Sequence, residues 1–189
     1  MKIFSNFDTK LRAKKYNEYI QQYGEGNVTC FGRSRLYRWV KVFLPSLLIM
    51  AGSVILLILL YSRFQGTGFN YMLLAAILLD ILLFFPRIGK YIDYKMDFII
   101  VTPESLMMYD QTGIFKRDVV TIGVPNIKTI SLRKKGFLYS IFDNGDIIVL
   151  SEANITDGEV TLKWVPRPEK RRNQIANIIG LDQKEASSR

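Results

Sequence analysis

Residues 42–61 form a run of twenty consecutive uncharged side chains, VFLPSLLIMAGSVILLILLY. As an α-helix rising 1.5 Å per residue, such a run is about 30 Å long, the thickness of a bilayer's hydrocarbon core. A helix packed on a water-soluble core keeps a polar stripe on its outer side, and this segment has none. It starts too far into the sequence, and is too long, to read as the apolar core of a signal segment.

A second apolar run, residues 69–85 (FNYMLLAAILLDILLFF), carries one acid, Asp80. The seven residues between the runs, SRFQGTG, suffice to turn a helical hairpin. The expected spans are residues 42–61 and 69–86, so that 42–86 is a two-helix transmembrane hairpin. Arg33, Arg35, Arg38 and Lys41 precede the first run and Arg87, Lys90 and Lys95 follow the second, while Arg63 alone lies in the connection. Cationic residues favour the cytoplasmic side, so both termini are expected in the cytoplasm and the protein in the cell membrane. Tyr37, Trp39, Tyr61, Phe64, Tyr91 and Tyr94 stand where aromatic anchors meet headgroups.

Composition limits the chemistry. The sequence has no histidine, which removes Ser-His-Asp and Cys-His nucleophiles and the usual zinc ligand sets. Its one cysteine, Cys30, cannot form an intramolecular disulfide. Paired carboxylates, a glycine-rich phosphate loop and metal-ligand spacing are all absent from the sequence. Neither an enzyme nor a cofactor is expected.

The formal net charge is +9, and residues 1–41 supply most of it, with nine Lys/Arg against three acids. Within this basic N-terminal cytoplasmic segment, Asp8 or Thr9 is placed to cap a short helix through Tyr23. Leu11, Tyr16, Tyr19, Ile20 and Tyr23 give that helix an incomplete apolar face, read here as a surface that lies against anionic lipid or as one side of a solvated helix. Nucleic-acid binding through Lys10, Arg12, Lys14 and Lys15 is not expected, because a basic segment beside a cytoplasmic membrane face is already explained by topology.

After Pro86 the pattern changes to short β-type segments divided by turn residues, which predicts a domain over residues 96–180. Seven strands are expected: 97–101, 105–110, 117–123, 127–134, 138–142, 146–151 and 159–165. The turns between them are Thr102-Pro103-Glu104, Gln111-Thr112-Gly113, Val124-Pro125-Asn126, Asp143-Asn144-Gly145 and Asp157-Gly158. From Pro168 the period becomes helical, with Glu169 in the first turn, Ile175, Ile178 and Ile179 as a buried stripe, and Gly180 as the stop. Seven antiparallel strands and one helix predict a partly open barrel covered at its mouth. Residues 181–189 read as a disordered tail.

The order of these features resembles the bacterial pleckstrin-homology-like membrane proteins. The resemblance is carried by two apolar spans, the basic strand start Lys116-Arg117, Val124-Pro125-Asn126-Ile127 entering a strand, Gly136-Phe137-Leu138, Gly145-Asp146, and Pro166-Arg167-Pro168-Glu169 opening a helix. It implies a mainly-β fold of two packed, nearly orthogonal antiparallel sheets with a C-terminal helix, and a binding or assembly role. Lipid-binding relatives in the wider superfamily carry basic residues between their first two strands. Here that loop is read as Thr102-Pro103-Glu104, so phosphoinositide binding is not expected.

Three places stand out as candidate sites. Asp80 is the one ionisable side chain inside the apolar runs, where a charge costs about 2.5 to 3.5 kcal/mol on insertion scales. It is expected to face Ser46 or a neighbouring protomer. Arg133, Lys134 and Lys135 adjoin Gly136-Phe137-Leu138, a pairing suited to anionic headgroups or to a solvated hairpin tip. Lys170, Arg171 and Arg172 lie in the first turns of the last helix, where the dipole gives cations nothing, so exposure or a partner explains them. The function expected is a noncatalytic membrane-anchored adaptor at the cytoplasmic face that binds a protein partner or itself. The competing reading is a small oligomeric transport or channel component using Asp80.

Overall fold

Phe98, Ile99, Ile100 and Val101 have no polar side chain among them, and a strand of that kind must be covered on both faces. The computed structural model, which describes residues 10–63, 66–112, 116–152 and 159–180, shows what covers each. In chain order the elements are α1 (Leu11–Tyr23), β1 (Thr29–Gly32) and α2 (Arg35–Arg38), then a π-helical turn (Trp39–Phe43) leading into α3 (Leu44–Arg63). α4 (Thr67–Met96), β2 (Phe98–Val101), β3 (Ser105–Thr112), β4 (Lys116–Gly123), β5 (Ile127–Arg133), α5 (Phe137–Ile141), β6 (Asn144–Ser151), β7 (Glu159–Pro166) and α6 (Pro168–Ile179) follow.

The chain forms two compact units. One holds the described residues up to Ser34 together with those from Asp93 onward; the other is Arg35–Ile92. The first unit contains two antiparallel sheets, β1-β2-β3-β4 and β5-β6-β7. Side chains on a strand alternate between faces. Ile99 and Val101 accordingly join Phe31, Leu106, Met108, Ile122, Ile147, Val149, Leu162 and Val165 in the main core, closed by Ile175 and Ile179 of α6. Phe98 and Ile100 point the other way, into a second core with Val28, Met107 and Tyr109.

That second core corrects the reading of the N-terminal helix. Leu11, Tyr16, Tyr19, Ile20 and Tyr23 of α1, the face assigned to lipid or solvent, pack on the four-stranded sheet. Tyr19 Oη donates to Met107 Sδ at 3.1 Å and Tyr23 Oη to Glu104 Oε2 at 2.8 Å, tying the C-terminal half of α1 to the sheet. The proposed caps Asp8 and Thr9 lie outside the described residues, as do Phe64, Gly113, the turn at Asp157-Gly158 and the tail 181–189.

Seven strands are present among the described residues, though not the seven expected. β1 is an addition: Thr29, Cys30, Phe31 and Gly32 pair antiparallel with Val101, Ile100, Ile99 and Phe98. The whole helical segment is therefore inserted between two adjacent strands of one sheet. Thr102-Pro103-Glu104, read as the first inter-strand loop, joins the second strand to the third. Conversely, residues 138–142 form no strand. Their aromatic and β-branched content favours one, but β6 is already flanked by β5 and β7, so no sheet edge beside it is free. The segment becomes α5, entered through Gly136 at φ 102° and anchored by buried Tyr139. The expected Asn-Gly hairpin goes with it, because Asn144 and Gly145 open β6. Gly145 is held bare by crowding instead, since an added Cβ would lie 2.9 Å from Pro168 Cγ.

Gly32 ends β1 under a similar constraint. A Cβ there would stand 2.7 Å from the Asp97 carbonyl oxygen and 3.2 Å from Arg12 Nη1. The oxygen is backbone and cannot swing aside, so Gly32→Ala is expected to destabilise the β unit by about 1 to 3 kcal/mol, read as a lower melting temperature of the purified chain.

In the second unit, the helical stretches Arg35–Arg63 and Gly68–Met96 are both long and apolar enough to cross a membrane. None of the first stretch's most apolar window is buried, and only 6% of the second's. Pro45 lies just after the π-helical turn, inside the continuous helical stretch Arg35–Arg63, and α4 likewise continues past Pro86 to Met96.

Candidate functional site

Between α3 and α4 the polar groups meet at one point. Ser53 Oγ lies 2.5 Å from Asp80 Oδ1 and 3.0 Å from the Ile49 carbonyl oxygen, so its single proton has two acceptors in reach. Ser46, one of the expected neighbours of Asp80, instead donates to its own helix at Val42 O, 2.7 Å away. The fold thus gives Asp80 a partner about two helical turns further along α3 than Ser46. An apolar cleft of about 230 Å³ surrounds the pair, lined by Leu48, Gly52, Leu56, Ala76, Leu79 and Leu83.

In the β unit, the basic triplet at the end of β5 divides by role. Lys134 Nζ bonds Glu169 Oε1 at 2.8 Å and Asp143 Oδ1 at 3.1 Å, linking the approach to α5 with the first turn of α6. These two carboxylates raise the Lys134 ammonium above its ordinary range. Arg133 and Lys135 are exposed and make no ion pair among the described residues. Beside them α5 holds Tyr139 inward, its ring edge-on to Trp164 at 4.7 Å and its hydroxyl donating to Asp146 Oδ1 at 3.0 Å. Burial first, and then that carboxylate, push the Tyr139 hydroxyl far up. Phe137, Leu138, Ile141 and Phe142 remain exposed.

The α6 cluster divides as well. Lys170 and Arg172 are exposed, whereas Arg171 turns inward. Its guanidinium lies 5.5 Å from the centre of the Phe31 ring and donates to Gln174 Oε1 at 2.8 Å. Burial, and then the positive Arg12, lower its pKa. Arg12 Nε reaches Cys30 Sγ at 3.3 Å, yet burial still pushes the thiol up, which opposes a reactive thiolate.

Sequence reasoning missed a buried pair where the chain leaves and rejoins the β unit. Asp97, fully buried, contacts Arg33 Nη2 at 2.5 Å and accepts the Gln111 backbone N–H at 2.7 Å. Burial pushes its carboxyl up to about 7, outweighing Arg33 and the Gln111 bond. The available signal was an acid immediately before a wholly apolar strand, where solvent is hard to reach. No group of three or more His, Cys, Asp or Glu able to hold a metal occurs among the described residues.

Fold and sites together define a two-sheet antiparallel β unit, closed by a helix and interrupted after its first strand by a pair of apolar helices. No protein-family model, curated protein or solved structure matches the chain.

Proposed function

We propose that this protein is a noncatalytic, membrane-anchored binding module of the pleckstrin-homology-like kind, with α3 and α4 spanning the cell membrane and the β unit at its cytoplasmic face. The observation that carries the reading is the insertion of the apolar helices between paired strands β1 and β2. A domain tied to two spans through adjacent strands has little freedom to leave the surface, which suits a module that holds a partner there. The nearly unburied apolar surface of both helices supports the spans, since water would leave it unfavourably exposed. The four-strand and three-strand sheets closed by α6 support the pleckstrin-homology-like assignment. The partner is a protein or a further copy of the chain; the acidic Thr102-Pro103-Glu104 loop joins β2 to β3 and not the first two strands, so it carries no argument about phosphoinositide.

The test is gentle extraction of the tagged chain, with native mass and identification of whatever is held stoichiometrically. A defined companion that persists in Asp80→Asn is the expected result, because the amide oxygen of the substituted side chain still accepts the Ser53 hydroxyl and keeps the helix pair together. A companion-free homo-oligomer whose ion or solute flux disappears in Asp80→Asn, with assembly intact, would replace this reading by the transport one.

A further inference from the structure

Four large apolar side chains stand within six residues of one another at α5, where Phe137 is 77%, Ile141 57% and Phe142 55% exposed and Leu138 is partly so. Single exposed hydrophobes are ordinary, whereas a contiguous cluster marks an interaction surface. The helix itself is firmly seated through Tyr139, so this exposure belongs to a fixed element.

Its surroundings bear on what covers it. Tyr139 packs on Trp164, and the Trp164 carbonyl accepts the Ser34 backbone N–H at 2.6 Å. Trp164 can do so because it sits at a bulge between β6 and β7 with φ at 63°, which takes its carbonyl out of the ladder. Ser34 is the last residue before α2, and Arg33 beside it contacts Asp97, one residue before β2. α5 therefore lies at the end of the β unit where the chain departs for the apolar helices and returns from them. Exposed Arg133 and Lys135 immediately precede the cluster, and Asp143 after it is paired with Lys134, leaving the two cations to attract anionic headgroups.

We infer that α5 is a lipid-contacting foot: Phe137, Leu138, Ile141 and Phe142 enter the interfacial layer of the anionic bilayer, with Arg133 and Lys135 against its headgroups. This rests on the proposed spanning role of α3 and α4. A short amphipathic element binds membranes weakly alone, but a tether that holds it at the surface removes the cost of bringing it there. A second copy is the poorer fit, because a stable interface needs about 800 Å² per partner and α5 is five residues long.

The test uses the full chain with Cys30→Ala, reconstituted in phosphatidylcholine–phosphatidylglycerol vesicles and labelled with a fluorophore at one introduced cysteine. Ser140→Cys reports the foot, Lys128→Cys the other end of β5, about 17 Å along the strand, and Ile77→Cys the middle of α4. Spin-labelled lipid with a shallow probe is expected to quench position 140 and leave position 128 unquenched, while a deep probe quenches position 77. Phe137→Ser with Ile141→Ser and Phe142→Ser should abolish the quenching at 140, and pure phosphatidylcholine should weaken it. An unquenched 140 beside a deeply quenched 77 would sink the foot and leave the spans standing. An unquenched 77 would remove the spans and the foot together. Equal quenching at 140 without phosphatidylglycerol would overturn the anionic assignment, and shielding of 140 in detergent that grows with protein concentration would assign the surface to a second copy.

Discussion

Replacing Phe31 by alanine is expected to lower the stability of the β unit by about 3 to 5 kcal/mol, the usual cost of emptying a buried phenylalanine site. Phe31 is 1% exposed and stands in the main core although it belongs to a four-residue strand ahead of the apolar helices. Its loss would leave a cavity between the sheets and take away the ring beneath the Arg171 guanidinium. Thermal melting of the purified chain, followed by the fluorescence of Trp164 in a Trp39→Phe background, measures the change. A melting curve unmoved by Phe31→Ala would mean that the N-terminal strand is not part of the folded unit, and the view of the helices as an insertion into a sheet would fail with it.

The second large effect concerns pH. Asp97 carries a carboxyl raised from 3.8 to about 7 in the folded chain, by burial first, with Arg33 and the Gln111 N–H opposing and Asp110 and Asp93 adding to the rise. The folded state therefore holds a proton that the unfolded state has lost. The stabilisation is full below about 3.9 and disappears as pH rises through about 7, with a slope near 1.4 kcal/mol per pH unit between those limits. This opposes the more common behaviour of paired surface carboxylates, which favour folding as pH rises. Denaturant midpoints measured from pH 5 to pH 8 should fall in the native chain, and Asp97→Asn should flatten that fall while keeping an acceptor for Gln111. If the slope is the same in both proteins, Asp97 does not titrate in this range.

The two apolar helices were legible because their signal is local: twenty uncharged residues form the same helix whatever surrounds them. Six of the seven strands among the described residues were legible for a related reason, since alternation and turn residues act over a few positions. The failures fall where a segment's state depends on a distant neighbour. Residues 29–32 read as an approach to the first apolar run, yet β2 recruits them across the whole helical insertion. Residues 138–142 read as a strand by propensity, but β5 and β7 already occupy both edges of β6.

The candidate sites divide along the same line. Composition alone placed Asp80 among apolar residues and counted the cations at 133–135 and 170–172. Pairing Asp80 with Ser53, tying Lys134 to Asp143 and Glu169, and turning Arg171 onto Phe31 required the packed chain.

By itself, then, the sequence determined the two apolar helices, the turn from helical to β periodicity and the closing helix, because each follows from hydrophobic pattern and backbone preference within one segment. Only the tertiary structure decided that α1 covers the outer face of the first sheet, that β1 completes that sheet, and that α5 stands at the departure point of the helices. Those outcomes depend on which buried face lacks a cover and which sheet edge lacks a partner, quantities that exist only once the chain has folded.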